Sequence, residues 1–367
     1  MRNINCCIFN YAPHYRSSIF ELMDENLECD FYMGDKVFSP INKMDYSVLR
    51  GFKKELKFLA ITKNMYWQKG AVFLPFHAYE NYIITGDLRC LSTWVILFLN
   101  MLLRKKTFLW THGFYGDESI VKLFLKRIYF GMSHKVLLYG DYSMRLMISE
   151  GLKVDKLVCI YNSLNYDLQK SVLAVVQETS IYQDYFGNDD PVLIYIGRIQ
   201  RVKKIDMLIT AVNSLSNMDI KCNLVIIGDK SLDTDHLHDL VDDSSRVWFY
   251  GACYDEYKLC ELIWNSDVCV SPGNVGLTAV HSLTYGTPVI THDNYNNQMP
   301  EFESIVDGLT GSFFEENSVD SLMDKIRLWI GLNEKERNDV RKNCYKLIDD
   351  KYNPHAQMEI LTTLFVK

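Results

Sequence analysis

Along the second half of the chain, short runs that are apolar at nearly every position alternate with amphipathic stretches of helical length. The runs, Val192 to Ile196, Asn223 to Ile227, Val247 to Tyr250, Val268 to Val270 and Pro288 to Thr291, are β-rich and lead into glycine or proline turns. Helices predicted at Ile205 to Leu215, Tyr257 to Asn265 and Leu277 to Tyr285 lie between them. Strands apolar on both faces belong in a parallel sheet covered by helices on either side. The first half repeats this rhythm less clearly, with strands predicted at Ile4 to Phe9, Tyr82 to Thr85, Thr107 to Trp110, Val136 to Tyr139 and Leu157 to Ile160. It reads as a second doubly wound α/β domain. Ser18 and Glu21 stand at capping-box spacing, which predicts a helix start there. Asn10 to Ser17 is then a loop at the C-terminal end of strand one, the edge where open α/β sheets bind ligands. Asn165 to Asp190 has little periodicity and ends in a turn-rich Gly187-Asn188-Asp189-Asp190-Pro191, which suits a linker. The domains are expected to span residues 1–170 and 171–349.

Composition supports two cores rather than one: 367 residues, 48% of them hydrophobic, exceed what a single core usually reaches. A net charge of −7 argues against nucleic acid as a partner, since neutralising many phosphates calls for a basic face. The ten cysteines form no Cys-x-x-Cys pair and read as reduced core residues of a cytoplasmic protein. Met1 to Phe9 is too short an apolar run for a signal peptide, and Leu91 to Leu103 is too short to span a bilayer.

Two local patterns carry chemistry. In the first, the strand Ile194-Tyr195-Ile196 ends in Gly197-Arg198, and Lys203-Lys204-Ile205-Asp206 follows at the start of the next helix. Arg198 and Lys203 would meet at the sheet edge as a clamp for a diphosphate; with Arg201 and Lys204 beside them, a solvated basic turn is the plain alternative. In the second, Ser271-Pro272-Gly273-Asn274-Val275-Gly276 leads from a strand into a helix at Leu277-Thr278. The free N–H groups and positive dipole end of such a helix bind an anion without a charged side chain.

Together these residues resemble the retaining GT-B glycosyltransferases of family 4, over most of the chain. Arg198 and Lys203 match the family's diphosphate-holding positions, and Arg246 to Gly251 and Asp267 to Pro272 match the strands before its donor loop. Gly276-Leu277 and Gly286-Thr287-Pro288-Val289 match the flanks of its signature, and Pro300-Glu301 and Asp307-Gly308-Leu309-Thr310-Gly311 follow in order. The chain departs from the family at two positions. Where the family has a glutamate, seven residues and a second glutamate, Gly273 and His281 stand here. Neither carboxylate role carries over. Gly273 is read as room for closer ligand approach, and His281 either as a ribose hydrogen-bonding group or as a satisfied core residue.

The resemblance implies two Rossmann-like domains facing across a cleft, with a C-terminal segment, residues 350–367, packing back on the first. It implies a donor site at Gly197, Gly251, Asn274, Val275, Gly276, Leu277, Thr278, His281 and Glu301. The catalytic set is His112, Arg198 and Lys203, His112 closing Trp110-Thr111-His112-Gly113 at a strand end; His14, Tyr15 and Arg16 lie on the acceptor side. Asp233-Thr234-Asp235 is assigned to helix capping rather than to a metal, and no cofactor is expected beyond the nucleotide-sugar co-substrate. The implied reaction moves a sugar, from a UDP-sugar by preference, to a glycan or lipid-linked glycan with retention, in cell-surface polysaccharide synthesis. A nucleotide-sugar epimerase and a non-catalytic nucleotide-sugar-binding homologue are the alternatives. Leu91 to Leu103 followed by Arg104-Lys105-Lys106 is either a crossover helix or a peripheral contact with the inner membrane, with Trp94 or Phe98 inserted.

Overall fold

The computed structural model describes residues 4–36, 38, 42–229 and 235–365. The chain divides into two units, Met1–Asn165 with Asn353–Lys367, and Tyr166–Tyr352.

The strands of the first unit are β1 (Asn5–Phe9), β2 (Cys29–Gly34), β3 (Phe52–Leu56), an antiparallel pair β4 (Phe58–Ala60) and β5 (Tyr66–Gln68), β6 (Asn81–Thr85), β7 (Lys106–Thr111), β8 (Lys135–Leu138) and β9 (Leu157–Cys159). Seven form a parallel sheet in the order β3-β2-β1-β6-β7-β8-β9. The direction of winding reverses between β1 and β6. Helix α1 (Ser17–Asn26) therefore covers one face, while α2 (Leu91–Leu102), α3 (Ile120–Gly131) and α4 (Asp141–Ser149) cover the other. Alternate residues of one strand feed the two cores: Cys6 and Ile8 pack with Ile96, Leu97 and Tyr129, whereas Cys7 and Phe9 pack with Ile19, Phe20 and Met23. That alternation sends the adjacent Cys6 and Cys7 to opposite faces, and all ten cysteines are free.

In the second unit α5 (Tyr166–Leu173) and α6 (Ile181–Phe186) precede β10 (Val192–Ile196), α7 (Ile205–Asn217), β11 (Asn223–Ile227), α8 (Asp235–Asp239), β12 (Val247–Gly251), α9 (Glu256–Trp264), β13 (Val268–Ser271), α10 (Leu277–Thr284), β14 (Val289–His292), β15 (Gly311–Phe314), α11 (Val319–Ile330) and α12 (Glu334–Asp350). Its six strands are parallel, in the order β12-β11-β10-β13-β14-β15, so winding reverses between β10 and β13. Helix α13 (Pro354–Phe365) then returns to the first unit, where Leu361 is fully buried and the Phe365 ring lies 4.4 Å from that of Phe108.

Every predicted strand is present within a residue or two, but β2, β3, the β4–β5 pair and β15 were not anticipated. Strand β2 holds Asp30, which is buried because Tyr79 donates to it at 2.6 Å. Strand β3 is an edge strand whose Lys53, Lys54 and Glu55 face solvent, so its pattern is not apolar. The capping box at Ser18 and Glu21 does not form: α1 begins at Ser17 with Arg16 as N-cap and no side-chain cap. Residue 170 falls inside α5, which belongs wholly to the second unit; there Tyr166 donates to Asp349 at 2.8 Å and Gln169 to Glu256 at 3.1 Å. Asp233 and Thr234 lie outside the described residues, as does the side chain of Asp235.

If α13 is an integral part of the first unit's core, Leu361→Ala should cost about 2–5 kcal/mol, the usual range for a leucine deleted from a close-packed interior. Chemical denaturation followed by circular dichroism should show the loss. An unchanged transition would mean that α13 is not part of that core.

Candidate functional site

In the second unit the reversal of winding opens a crevice between the C-terminal ends of β10 and β13, and the residues expected to bind a diphosphate follow those two strands. Strand β10 ends in Gly197, whose φ of 148° disfavours any side chain; its N–H donates to Ile227 at 2.9 Å. Arg198 follows, its side chain exposed and its carbonyl held by the Tyr195 hydroxyl at 3.0 Å. Lys203 lies in a 3-10 turn, Arg201–Lys203, and not in the helix: Lys204 is the N-cap of α7, in the left-handed region at φ 50°. Lys204 pairs with Glu316 at 3.1 Å, so it serves the structure rather than the crevice.

Lys203 is anchored differently. Its Nζ donates to the Asn274 carbonyl at 2.6 Å and to Asn274 Oδ1 at 2.7 Å. Burial, and then the neighbouring Arg198, bring its ammonium down to about 8, against which the Glu301 carboxylate acts weakly. Glu301 is itself buried, in the turn Pro300–Ser304. An anion beside Lys203 and Arg198 would restore full charge to the lysine.

The β13–α10 loop meets the lysine turn backbone to backbone. Gly273 N donates to Lys203 O at 3.0 Å. A Cβ on Gly273 would stand 2.1 Å from Val202 O and 2.6 Å from Lys203 Cα. Gly273 therefore leaves room for the chain's own backbone, not for a ligand, and a glutamate does not fit there. Val275, expected among the donor contacts, is fully buried, and its N–H is taken by Gln298 Oε1 at 2.7 Å. Gln298 in turn donates to Thr291 Oγ1 and to His292 O, both at 2.9 Å, fastening the loop to β14. Thr278 donates to Ile196 O at 3.0 Å, fastening the start of α10 to β10. Asn274, Gly276, Leu277 and Thr278 keep partial exposure, and the N-cap Gly276 has no side-chain cap, so the first turn of α10 presents its N–H groups to the crevice. Gly251, at φ 89°, ends β12 and accepts from Gly228 N at 2.9 Å, one strand further out.

His281 is neither solvent-facing nor surrounded by apolar groups. Its Nε2 lies 2.8 Å from Glu256 Oε1, which also accepts from Tyr285 and Gln169. Burial alone would raise Glu256, but these hydrogen bonds hold it down at about 2. A carboxylate, Glu256 on α9, thus stands in contact with position 281. Nothing in local spacing points to Glu256; only the folded contact does.

In the first unit, the loop after β1 and the end of β7 converge on one ring. The Arg16 guanidinium sits 4.8 Å from the centroid of Tyr139, and the His112 ring lies 4.8 Å from the same centroid. His112 Nδ1 is buried without a hydrogen-bond partner among the described residues. Burial first, then Arg16 and Lys126, lower the imidazole to about 4, so it is neutral at pH 7. Lys126 was not anticipated: it donates to Gly113 O at 2.7 Å and pairs with Glu118, which accepts from Tyr115 N and Gly116 N. This buried pair fixes the loop that follows His112. His14 is exposed, with Nδ1 3.3 Å from Asn42 O, and its ring is 5.6 Å from that of Tyr15. Neither joins the Arg16–Tyr139–His112 group. Among the described residues no group of three His, Cys, Asp or Glu side chains forms a metal-ligand cluster.

Residues 177–347, inside the second unit, match the sequence model of a family described as Glycosyl transferases group 1. The glycogen synthase of Francisella philomiragia is 30% identical over 142 residues; the match takes in 36% of this chain and only 29% of that enzyme. Several solved structures match almost end to end. HepE of Anabaena in complex with UDP is 14% identical, with a TM-score of 0.72 and 98% and 99% of the two chains covered. A glycosyltransferase from Rickettsia africae ESF-5 is 14% identical, with a TM-score of 0.73 and 100% and 98% covered. The likeness is one of fold: α/β, GT-B, with two Rossmann-like units.

The neutral His112 has a measurable consequence. An unfolded histidine titrates near 6.5, so between pH 6.5 and about 4 the unfolded chain binds more protons and stability falls as pH is lowered. The shift corresponds to at most about 3 kcal/mol. His112→Gln should lose clearly less unfolding free energy than wild type between pH 7 and 4.5. Parallel losses in the two proteins would show that His112 is not held neutral.

Proposed function

We propose that this chain is a nucleotide-sugar-dependent glycosyltransferase. The observation that carries the reading is the meeting of Arg198, Lys203 and the uncapped start of α10 at the switch point of the second sheet. These groups suit a diphosphate, and they suit it best when it carries the extra negative charge of a leaving group, which is where stabilisation accelerates sugar departure. The HepE complex supports UDP as the nucleotide, and the match to group 1 glycosyltransferases supports sugar transfer as the reaction.

In this reading Arg198 and Lys203 hold the diphosphate and the N–H groups of Gly276, Leu277 and Thr278 share its charge. Asn274 orients Lys203, and Glu301 limits the lysine's proton loss. Gly197 and Gly251 keep the strand ends low enough for the nucleotide, and the His281–Glu256 pair takes the ribose side that the family gives to a carboxylate. His112 is assigned the transferred sugar as a neutral hydrogen-bonding group, with Arg16 beside the same Tyr139 ring, and His14 and Tyr15 are assigned to the acceptor. Protein cations take the place of a divalent metal. The acceptor is a glycan or lipid-linked glycan at the inner face of the cytoplasmic membrane, in surface-polysaccharide assembly. Retention of configuration rests on the family resemblance.

The reading is tested with UDP-sugars and a panel of glycan acceptors. Transfer should persist in chelator, and Arg198→Ala, at an exposed position that leaves the fold intact, should lose about 2–4 kcal/mol of transition-state stabilisation, as for other preorganised charge-assisted contacts. Metal-dependent transfer, or wild-type turnover by the folded variant, would overturn the clamp. Isomerisation of donor without acceptor would point to an epimerase instead.

A further inference from the structure

Two neighbouring helices of the first unit expose apolar side chains beyond those they bury: α2 packs Ile96 and Leu97 and α3 packs Tyr129 and Phe130 into the core, yet each also turns an apolar face outward. In α3, Lys126 is 4% exposed, whereas Ile120, Val121, Phe124, Leu125 and Ile128 are between 42% and 89% exposed. Those apolar positions recur at helical spacing and form one stripe. In α2, Thr93 and Asn100 are buried, the latter donating to Thr107 at 3.0 Å, while Phe98 and Leu102 are 51% and 61% exposed. Trp94 of α2 lies 4.7 Å from the ring of Tyr129 in α3, so the two helices sit side by side on one face of the sheet. Exposed apolar side chains aligned along two helices on one face of a sheet mark an interaction site, because scattered exposure would not align in this way.

Charge selects the occupant. Between Leu91 and Lys135 the sequence has seven Lys or Arg and two acidic residues, in a chain of net charge −7. Glu118, one of the two acids, is buried against Lys126. Arg104, Lys106 and Lys122 are exposed and form no salt bridge among the described residues. Lys105 is already committed, donating to the His77 carbonyl and the Tyr82 hydroxyl. Trp94 is half-buried, with its indole N–H donated to Leu88 O at 3.0 Å, so Phe98 and not Trp94 is available for insertion. A second copy of the chain would set this cationic rim against itself. An anionic bilayer supplies both an apolar interior and the opposite charge.

We propose that the α2–α3 face seats the protein in the plane of an anionic membrane, with Phe124 and Phe98 entering the headgroup boundary and Lys122, Lys106 and Arg104 at the phosphates. No helix among the described residues is long and apolar enough to cross a membrane, and α3 has 12 residues, so the contact is peripheral. Lys126 ties α3 to Gly113, the neighbour of His112. A lipid-linked acceptor would therefore be delivered beside the strand edge assigned to it above. The proposal extends the acceptor part of that reading and stands apart from donor chemistry.

The full chain is sedimented with phosphatidylcholine vesicles, with and without phosphatidylglycerol, at low and high salt, beside Phe124→Ser and Lys122→Glu. Unchanged thermal unfolding checks the variants' fold, and calorimetry with UDP reports the donor site separately. Wild type should bind only the anionic vesicles, more weakly at high salt, with both variants at least about tenfold weaker. Absence of wild-type binding, or equal binding by the variants, would overturn the proposal. So would a dimer in light scattering that Phe124→Ser dissociates while no vesicle binding is seen. Intact vesicle binding without UDP binding would count against the donor reading alone and leave the membrane face standing.

Discussion

The crevice of the second unit depends on two backbones lying in direct contact, that of Gly273 and that of Val202-Lys203. This approach brings the lysine turn and the β13–α10 loop close enough for Asn274 to hold Lys203 through two hydrogen bonds. It also keeps the lysine half-buried beside Arg198, and the resulting drop of its ammonium to about 8 makes it responsive to a bound anion. A side chain at 273 would separate the loops and release all of these consequences together. The glycine at 273 is thus, in this chain, the condition for the backbone contact that holds the Lys203 turn against the β13–α10 loop.

Topology explains why the two units place chemistry where they do. In each sheet the winding reverses once, between β1 and β6 and between β10 and β13, and a crevice opens at the strand ends on either side of that reversal. In the second unit both predicted elements arrive there because they follow β10 and β13 directly. In the first, the loop carrying Arg16 follows β1, while His112 follows β7 and reaches the same ring, Tyr139, from two strands away.

How much of this could be read in advance follows from the range of the forces involved. Strands apolar at every position, such as Val192–Ile196 and Asn223–Ile227, announce their double burial, whereas β3 hides because an edge strand tolerates Lys53, Lys54 and Glu55. Arg198, Lys203 and the start of α10 were legible because strand, turn and helix fix them within a few residues. Glu256 for His281, Gln298 for Val275 and Lys126 for Gly113 were not, since each pair is brought together only by folding. Val275 was expected among the donor contacts because it stands between Asn274 and Gly276 in the loop; alternation turns it inward instead. The sequence left Leu91 to Leu103 open between a crossover helix and a membrane contact and gave no sign of the exposed stripe on α3, because an apolar stretch does not say which of its faces is buried.

Restoring the missing carboxylate tests the central claim most directly. Gly273→Glu, folded by circular dichroism, is compared with wild type for UDP binding by calorimetry and for transfer from a UDP-sugar. The backbone contact predicts that the glutamate displaces the Lys203 turn, weakens UDP at least about tenfold through loss of a charge-assisted contact, and gains no turnover. Wild-type UDP affinity, or faster transfer with the glutamate in place, would contradict it.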